Sequence, residues 1–471
     1  MTTLLPRLTR RHFLAASGAT LAWAALPAAK AWAVDQPLRL AAGKATFSLA
    51  PYGPAEVAGC WGYNGTIPGP LIRVKQGARL RAVLENGLAE DSTIHWHGIR
   101  LPNAMDGVPH LTQAPVAPGG RFEYDFVLPD AGTYWYHPHA NAPEQLGRGL
   151  SGALIVEEAE PYPADREIVW LLDDWMLDRN AEIVGGFDDY HARSHDGRIG
   201  NTVTINGSLR DEEPVRPGER IRLRLINAAN GRIFRLNFGG LPAHVIALDG
   251  QPVQPFEADR VTLGPGMRAD VVVDVTVSAG STVEWVDDFY APAAYRFIAL
   301  RVAGEPVRAA ALTGVPPALP ANPVPEPELA GAVQHTVEFR GGMMGSLPRE
   351  EMIGLMRQGM AWTVNGQAHA PDAHQGHAPL FSVPRNTTCR LKLVNDTRWF
   401  HPIHLHGHHF RVLSRNGQPE PHQPLHDTVL MQPQDRIEIA FKADNPGDWM
   451  LHCHVLEHHA GGMGGVFRVE A

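Results

Sequence analysis

One stretch of this chain is written three times. Asn64-Gly65 is followed by Arg79-Leu80-Arg81-Ala82-Val83-Leu84-Glu85-Asn86, Asn206-Gly207 by Arg220-Ile221-Arg222-Leu223-Arg224-Leu225-Ile226-Asn227, and Asn365-Gly366 by Cys389-Arg390-Leu391-Lys392-Leu393-Val394-Asn395. The Asn-to-Asn intervals are 22, 21 and 30 residues, the surplus in the third copy being a polar insert with His369, His374 and His377. Polar and apolar residues alternate in all three, which predicts half-buried strands of sandwich-like sheets. A unit repeated in this way sets the architecture as three copies of one β domain. Boundaries follow at roughly 34–158, 159–305 and 335–471, with a Pro-rich linker over 306–334. The length of 471 residues suits about three domains, and 47 Gly with 40 Pro favour turns over long helices.

The net charge is −9 and no basic stripe exists outside the N-terminus, so nucleic acid is not an expected partner. Three cysteines are too few for a disulfide framework. Thr9-Arg10-Arg11-His12-Phe13-Leu14, an apolar run to Leu26 and then Ala31-Trp32-Ala33 predict an export signal over 1–33, cleaved after Ala33. Pro27 and Lys30 end the apolar run short of the roughly 20 residues that span a bilayer, so stable membrane insertion is not expected. The Arg10-Arg11 pair before Phe-Leu resembles a twin-arginine signal, the route of folded, cofactor-loaded proteins, and places the mature chain in the periplasm. A monomer is expected.

The outlier in composition is histidine, at 24 residues. Nine residues past the second Asn of each repeat, the first copy has His95-Trp96-His97-Gly98 and the third His404-Leu405-His406-Gly407. The second has Leu236-Asn237-Phe238-Gly239: the glycine keeps its register while the histidines become apolar. Later, Ala131-Gly132 precedes His137-Pro138-His139 and Pro446-Gly447 precedes His452-Cys453-His454. The middle copy runs from Ala279-Gly280 to Val286-Asp287-Asp288 without histidine. Metal ligands are therefore expected in domains one and three, with domain two a spacer.

In a strand, residues i and i+2 face one side about 6–7 Å apart. Four His-x-His pairs thus offer eight imidazoles, more than the four ligands of one structural zinc. Cys453, between His452 and His454, points to the opposite face. His458 and Met463 follow at +5 and +10, and His401 precedes the third pair. One thiolate, two imidazoles and a thioether make the ligand set of a blue-copper electron-transfer site.

With these motifs the sequence resembles the three-domain multicopper oxidases, of the bacterial laccase and cuprous oxidase type, over essentially the whole mature chain. Tyr63-Asn64-Gly65-Thr66-Ile67-Pro68-Gly69-Pro70 is similar to that family's domain-one opening. The resemblance implies an all-β fold of three consecutive cupredoxin-like Greek-key domains and four coppers per chain. It implies type 1 copper on His401, Cys453, His458 and axial Met463, and type 2 on His95 and His404. One type 3 copper would sit on His97, His137 and His454, the other on His139, His406 and His452. The implied activity couples one-electron oxidation of a donor, cuprous ion or a small aromatic reductant, to four-electron reduction of dioxygen to water. A copper-binding or partner-binding member of the fold without oxidase activity is the alternative, against which retention of every ligand counts.

Reduction of dioxygen consumes protons. Asp106, in Met105-Asp106-Gly107, matches an acid that serves the cluster in relatives; alone, Asp-Gly reads as turn chemistry. The residue after the second type 1 histidine is often acidic in bacterial relatives and here is His459, so His459, Glu457 or water is left to do that work. Cys60 and Cys389 either pair or lie apart as buried thiols. Met352, Met356 and Met360 recur every four residues, one stripe of a helix. They are either core packing or, as in the Met-rich insert of cuprous oxidases, a cuprous-ion capture surface over the type 1 site. Such a surface would suit periplasmic copper tolerance.

Overall fold

The Asn-Gly dipeptides do the same work three times. In the computed structural model, which describes residues 37–51, 53, 56–312, 314–370 and 378–471, each dipeptide has positive φ at both residues. The expected export signal and the insert histidines His374 and His377 lie outside the described residues. Each turn asparagine clamps the domain's first strand. Asn64 accepts from the Ala41 amide and donates to the Arg39 carbonyl, both at 2.8 Å, and Asn206 does the same with Leu171 and Val169. Asn365 repeats it with Glu338 and Thr336. The second asparagine of each repeat is buried and closes the loop after its strand: Asn86, Asn227 and Asn395 each accept from the amide two residues on. Side-chain capture of backbone groups is why asparagine recurs there.

The fold is all-β: three cupredoxin-like sandwiches in series. In each, the first strand runs parallel to the repeated alternating strand: Leu38–Phe47 beside Arg79–Asn86, Arg166–Trp175 beside Arg220–Asn227, and Val333–Gly341 beside Thr388–Asp396. The facing sheets also share an order. Ile72–Lys75, Gly152–Glu157, Gly132–His137 and His95–His97 in the first sandwich correspond to Phe381–Val383, Gly464–Val469, Gly447–Cys453 and His401–Leu405 in the third. Buried apolar side chains of these two sandwiches form one continuous core, while the middle sandwich has its own.

The alternating strand of the middle domain departs from expectation. Arg220–Asn227 is buried along its whole length, not on one face. Its arginine face lies under domain one, where Arg222 meets Glu158 at 2.6 Å and Arg224 meets Thr133 Oγ1 at 2.9 Å, with Asp270 between them. Burial of these guanidiniums is tolerable because each is paired and hydrogen-bonded. Cys60 and Cys389 are free and buried in separate apolar clusters, and burial pushes both thiols up to about 12. No helix among the described residues is long and apolar enough to cross a membrane.

Candidate metal centre

Strand pairing brings the histidines together in pairs across each sheet. In domain one His95 pairs with His137 and His97 with Trp135; in domain three His404 pairs with His452 and Ile403 with Cys453. Only the first His-x-His motif lies wholly in a strand. His139, His406 and His454 each fall just past a strand end, so the period-2 expectation holds for half of each of those pairs. The rings of each pair still lie together, 5.7, 6.5, 4.8 and 5.7 Å apart between centroids in chain order.

The two domains bring these pairs face to face. His95 stacks on His406 at 3.9 Å and His97 on His404 at 3.8 Å, and His95 and His404 point their Nε2 atoms at each other 3.4 Å apart. Donor atoms of His139, His406 and His452 converge within 4.8 Å, as do those of His95, His97 and His137 and those of His95, His404 and His406. His454 stands at ring contact, 4.9 Å from His97 and 5.2 Å from His137. Behind it, His401, Cys453 and His458 form a triangle: both imidazole Nδ1 atoms lie 3.6 Å from Cys453 Sγ and 3.1 Å from each other. Met463 is buried, and its carbonyl accepts from the Cys453 amide at 3.0 Å. The peptide His452-Cys453-His454 therefore joins the two groups covalently.

Hydrogen bonds decide which nitrogen each ring presents. Nδ1 is engaged by backbone carbonyls in His95 (Asp106), His137 (Pro138), His404 (Asp427) and His452 (Cys453), and by the Asp106 carboxylate in His406, leaving Nε2 inward. In the triangle the order reverses. His401 Nε2 is held by Thr397 Oγ1 at 2.8 Å and His458 Nε2 donates to the His195 carbonyl at 2.5 Å, leaving Nδ1 toward the sulfur. His97 Nδ1, His137 Nε2 and both nitrogens of His454 are buried with no hydrogen-bond partner. Orphaned, converging donors of this kind fit metal ions. Burial, followed by neighbouring imidazoles, holds His137, His406, His452 and His454 well below the usual imidazole range. Burial brings His458 to about 3 against the opposing hydrogen bond to the His195 carbonyl, and burial, with the Glu457 charge behind it, pushes the Cys453 thiol up. Neutral imidazole is the form that binds metal.

The acids occupy distinct places. Asp106 is buried between two rings, its Oδ2 2.8 Å from His406 Nδ1 and its Oδ1 3.3 Å from His95 Nδ1. Glu457 accepts from the Arg198 amide and from Asn230, both of domain two, and burial pushes its carboxyl up. His459 instead lies 4.5 Å from the His452 ring and 5.4 Å from His139, and with His139 it lines a cavity of about 550 Å³ that also carries Arg148 and Arg193.

The methionine stripe only partly follows a helix: Arg349–Arg357 is helical, with Met360 beyond its end. Leu355 is the buried residue of that helix, while Met356 is exposed and Met352 and Met360 are half-buried, so Leu355 rather than the stripe makes the helix's core contact. The segment borders the triangle. Met360 accepts from Tyr190 through its carbonyl, and Trp362, two residues on, lies 4.5 Å from the His458 ring and 5.0 Å from His401.

Sequence reasoning missed Asp427 and Arg268. Asp427 Oδ1 lies 3.1 Å from His97 Nε2, and Arg268 of the middle domain pairs with both of its oxygens. The signal was faint: an aspartate among the histidines that follow the third pair, and an arginine two residues past Gly266. That glycine has φ +84°, and a Cβ there would lie 2.8 Å from His454. Domain two is thus more than a spacer, because it reaches the cluster directly.

Profiles of the multicopper oxidase family match residues 50–161, 166–297 and 348–471. The multicopper oxidase MmcO of Mycobacterium tuberculosis is 32% identical over 437 residues, covering 85% of this chain and 81% of that protein. Copper resistance protein A of Pseudomonas syringae pv. tomato is 34% identical over 262 residues, 46% of this chain and 42% of that one. The crystal structure of a multi-copper oxidase from Pseudomonas thermotolerans superposes with a TM-score of 0.81 at 34% identity, covering 92% of this chain and 99% of that one. Three matched domains, eight facing histidines and the Cys453 triangle together make this chain a member of the multicopper oxidase family.

Proposed function

We propose that this protein is a four-copper oxidase that takes single electrons from cuprous ion or small phenols and passes them to dioxygen, yielding water. The observation that carries the reading is the covalent step His452-Cys453-His454 between a two-imidazole, one-thiol triangle and an eight-histidine cluster. His401, Cys453 and His458, with Met463 behind, would hold type 1 copper, and His95 with His404 type 2. His97, His137 and His454 would hold one type 3 copper, and His139, His406 and His452 the other. When bound, copper supplies reversible one-electron chemistry that no side chain here offers.

The chain's own residues do the rest. The Asp106 carboxylate touches rings of both domains and is placed to pass protons into the cluster. His459, between the cavity and His452, is the second proton group, since Glu457 is tied to Arg198 and Asn230. At the donor side, the His195 carbonyl caps the His458 edge, and the His195 ring lies 5.3 Å from Trp399. Met343, Met344 and Met356 are exposed, and Trp399 Nε1 donates to the Met343 carbonyl. Soft thioethers exposed on this segment suit cuprous ion. The name of the Pseudomonas syringae relative supports a role in copper tolerance, and export by the twin-arginine-like signal at Arg10-Arg11 would put that role in the periplasm.

The pure protein should bind about four coppers per chain with an intense blue thiolate band; one copper or none refutes the reading. For the donor, steady-state oxidation of cuprous ion and of a dimethoxyphenol is compared in the parent and in a Met352/Met356/Met360→Ser variant. A selective fall in cuprous oxidation is expected. Equal rates in both proteins would leave a plain laccase-type oxidase.

A further inference from the structure

We propose that Arg268, which belongs to the metal-free middle domain, is a positioning residue for the histidine cluster: by gripping Asp427 it sets His97 with Nε2 engaged and Nδ1 facing inward. The inference rests on the reading of that cluster as a copper site.

Among the cluster rings whose hydrogen bonds are described above, His97 is the reversed one. Its Nε2 lies 3.1 Å from Asp427 Oδ1 and 3.2 Å from Thr428 Oγ1, while its Nδ1 is buried and unpartnered. A carboxylate held by a guanidinium only accepts, so the proton on this ring sits on Nε2 and the lone pair on Nδ1. Thr428 Oγ1 donates to the same Asp427 oxygen at 2.8 Å and lies 3.1 Å from His404 Nδ1, which also donates to the Asp427 carbonyl at 2.9 Å. One aspartate therefore orients a histidine of domain one and a histidine of domain three.

What orients the aspartate comes from domain two. Arg268 is fully buried at the start of the strand Arg268–Asp274. Its Nη1 and Nη2 donate to the two Asp427 oxygens at 2.8 and 2.5 Å, a two-pronged grip that fixes the carboxylate plane. The guanidinium is itself fixed by the Thr133 and Gly266 carbonyls and by Asp249 Oδ1 at 3.4 Å. Room for the pair comes from Gly98, where a Cβ would fall 2.3 Å from Arg268 Nη2 and 2.5 Å from Asp427 Oδ2. Asp106, the counterpart across the cluster, has no arginine or lysine partner among the described residues.

The test compares Arg268→Met and Arg268→Lys with the parent in the copper-loaded protein. Blue absorbance, copper per chain and the paramagnetic resonance spectrum of the cluster are read before and after exposure to a chelator. Arg268→Met should keep the blue band but surrender the type 3 copper on His97 roughly 10–100-fold more readily, and the partner copper, no longer coupled, should add a resonance signal beside that of type 2. Arg268→Lys, which keeps the charge and loses the fork, should fall between the two. If Arg268→Met does not accumulate folded, Arg268→Lys alone decides by the same signals. Parent-like copper retention and resonance in the variants would overturn the proposal. So would a blue band that falls in step with the cluster, since that marks general loss of fold. A parent without blue or type 2 signals would refute the copper reading itself.

Discussion

Where the first sandwich pairs His95 with His137 and the third pairs His404 with His452, the middle one pairs Leu236 with Asp287 at the equivalent rung. The strand register is shared and the surroundings are not. The outer rungs open onto each other's domain, so imidazoles meet imidazoles. The middle rung is closed: Leu236 is fully buried in its own domain's core, and Asp287 Oδ1 accepts from the Arg235 amide at 3.0 Å. What the middle domain offers the outer pair is charge, in Arg222 and Arg224 toward Glu158 and in Arg268 toward Asp427. A site of this kind needs the facing surface of a second domain as well as histidine at the right rung.

The comparison breaks most sharply at Cys453, the residue that ties the outer site together. Cys453→Ser should abolish the blue band and donor oxidation while leaving the fold intact; residual blue absorbance would place the thiolate elsewhere. Next comes a transplant, Leu236→His with Asp287→His, which recreates the outer rung in the middle domain. It should add no copper and should cost about 3 kcal/mol in stability, because a polar ring enters a closed core. A fifth copper would show that register alone suffices.

Asp106→Asn tests the two carboxylates against each other. Reoxidation of the reduced protein by dioxygen should slow by about a hundredfold, with reduction by donor and the blue band unchanged. Equal loss of both half-reactions would give Asp106 an orienting role like that of Asp427. The smallest effect lies inside the middle domain. Burial, followed by the charge of Asp174, pushes the Asp173 carboxyl well above its ordinary range. From that range up to the raised value the folded chain holds a proton that the unfolded chain has lost. Stability therefore falls as pH rises through the window. Asp173→Asn should remove this slope, gaining on the parent from about pH 4 toward neutrality; parallel stability curves would contradict it.

The repeated Asn-Gly turns, the alternating strands and the missing histidines of the middle copy were legible because each is local: a φ above zero, a period of two, a ligand type at a fixed offset. The grouping of His401, Cys453 and His458 was legible from the choice of ligand types, although His401 stands 52 residues before the cysteine. The strand ends before His139, His406 and His454 were not, since they depend on where pairing stops. Nor was the exposure of Met356 or the turn of Glu457 toward Asn230, which helical periodicity leaves open.

The sequence by itself determined three like domains, paired histidines in two of them and the covalent bridge through Cys453, all features carried by residues near one another along the chain. Tertiary structure decided what crosses between strands of different domains: which ring nitrogen each histidine presents, that Asp106 and Asp427 each span the interface, and that Arg268 enters from the side. Those contacts join residues 159 to 330 positions apart, and nothing in local pattern records a partner at that distance.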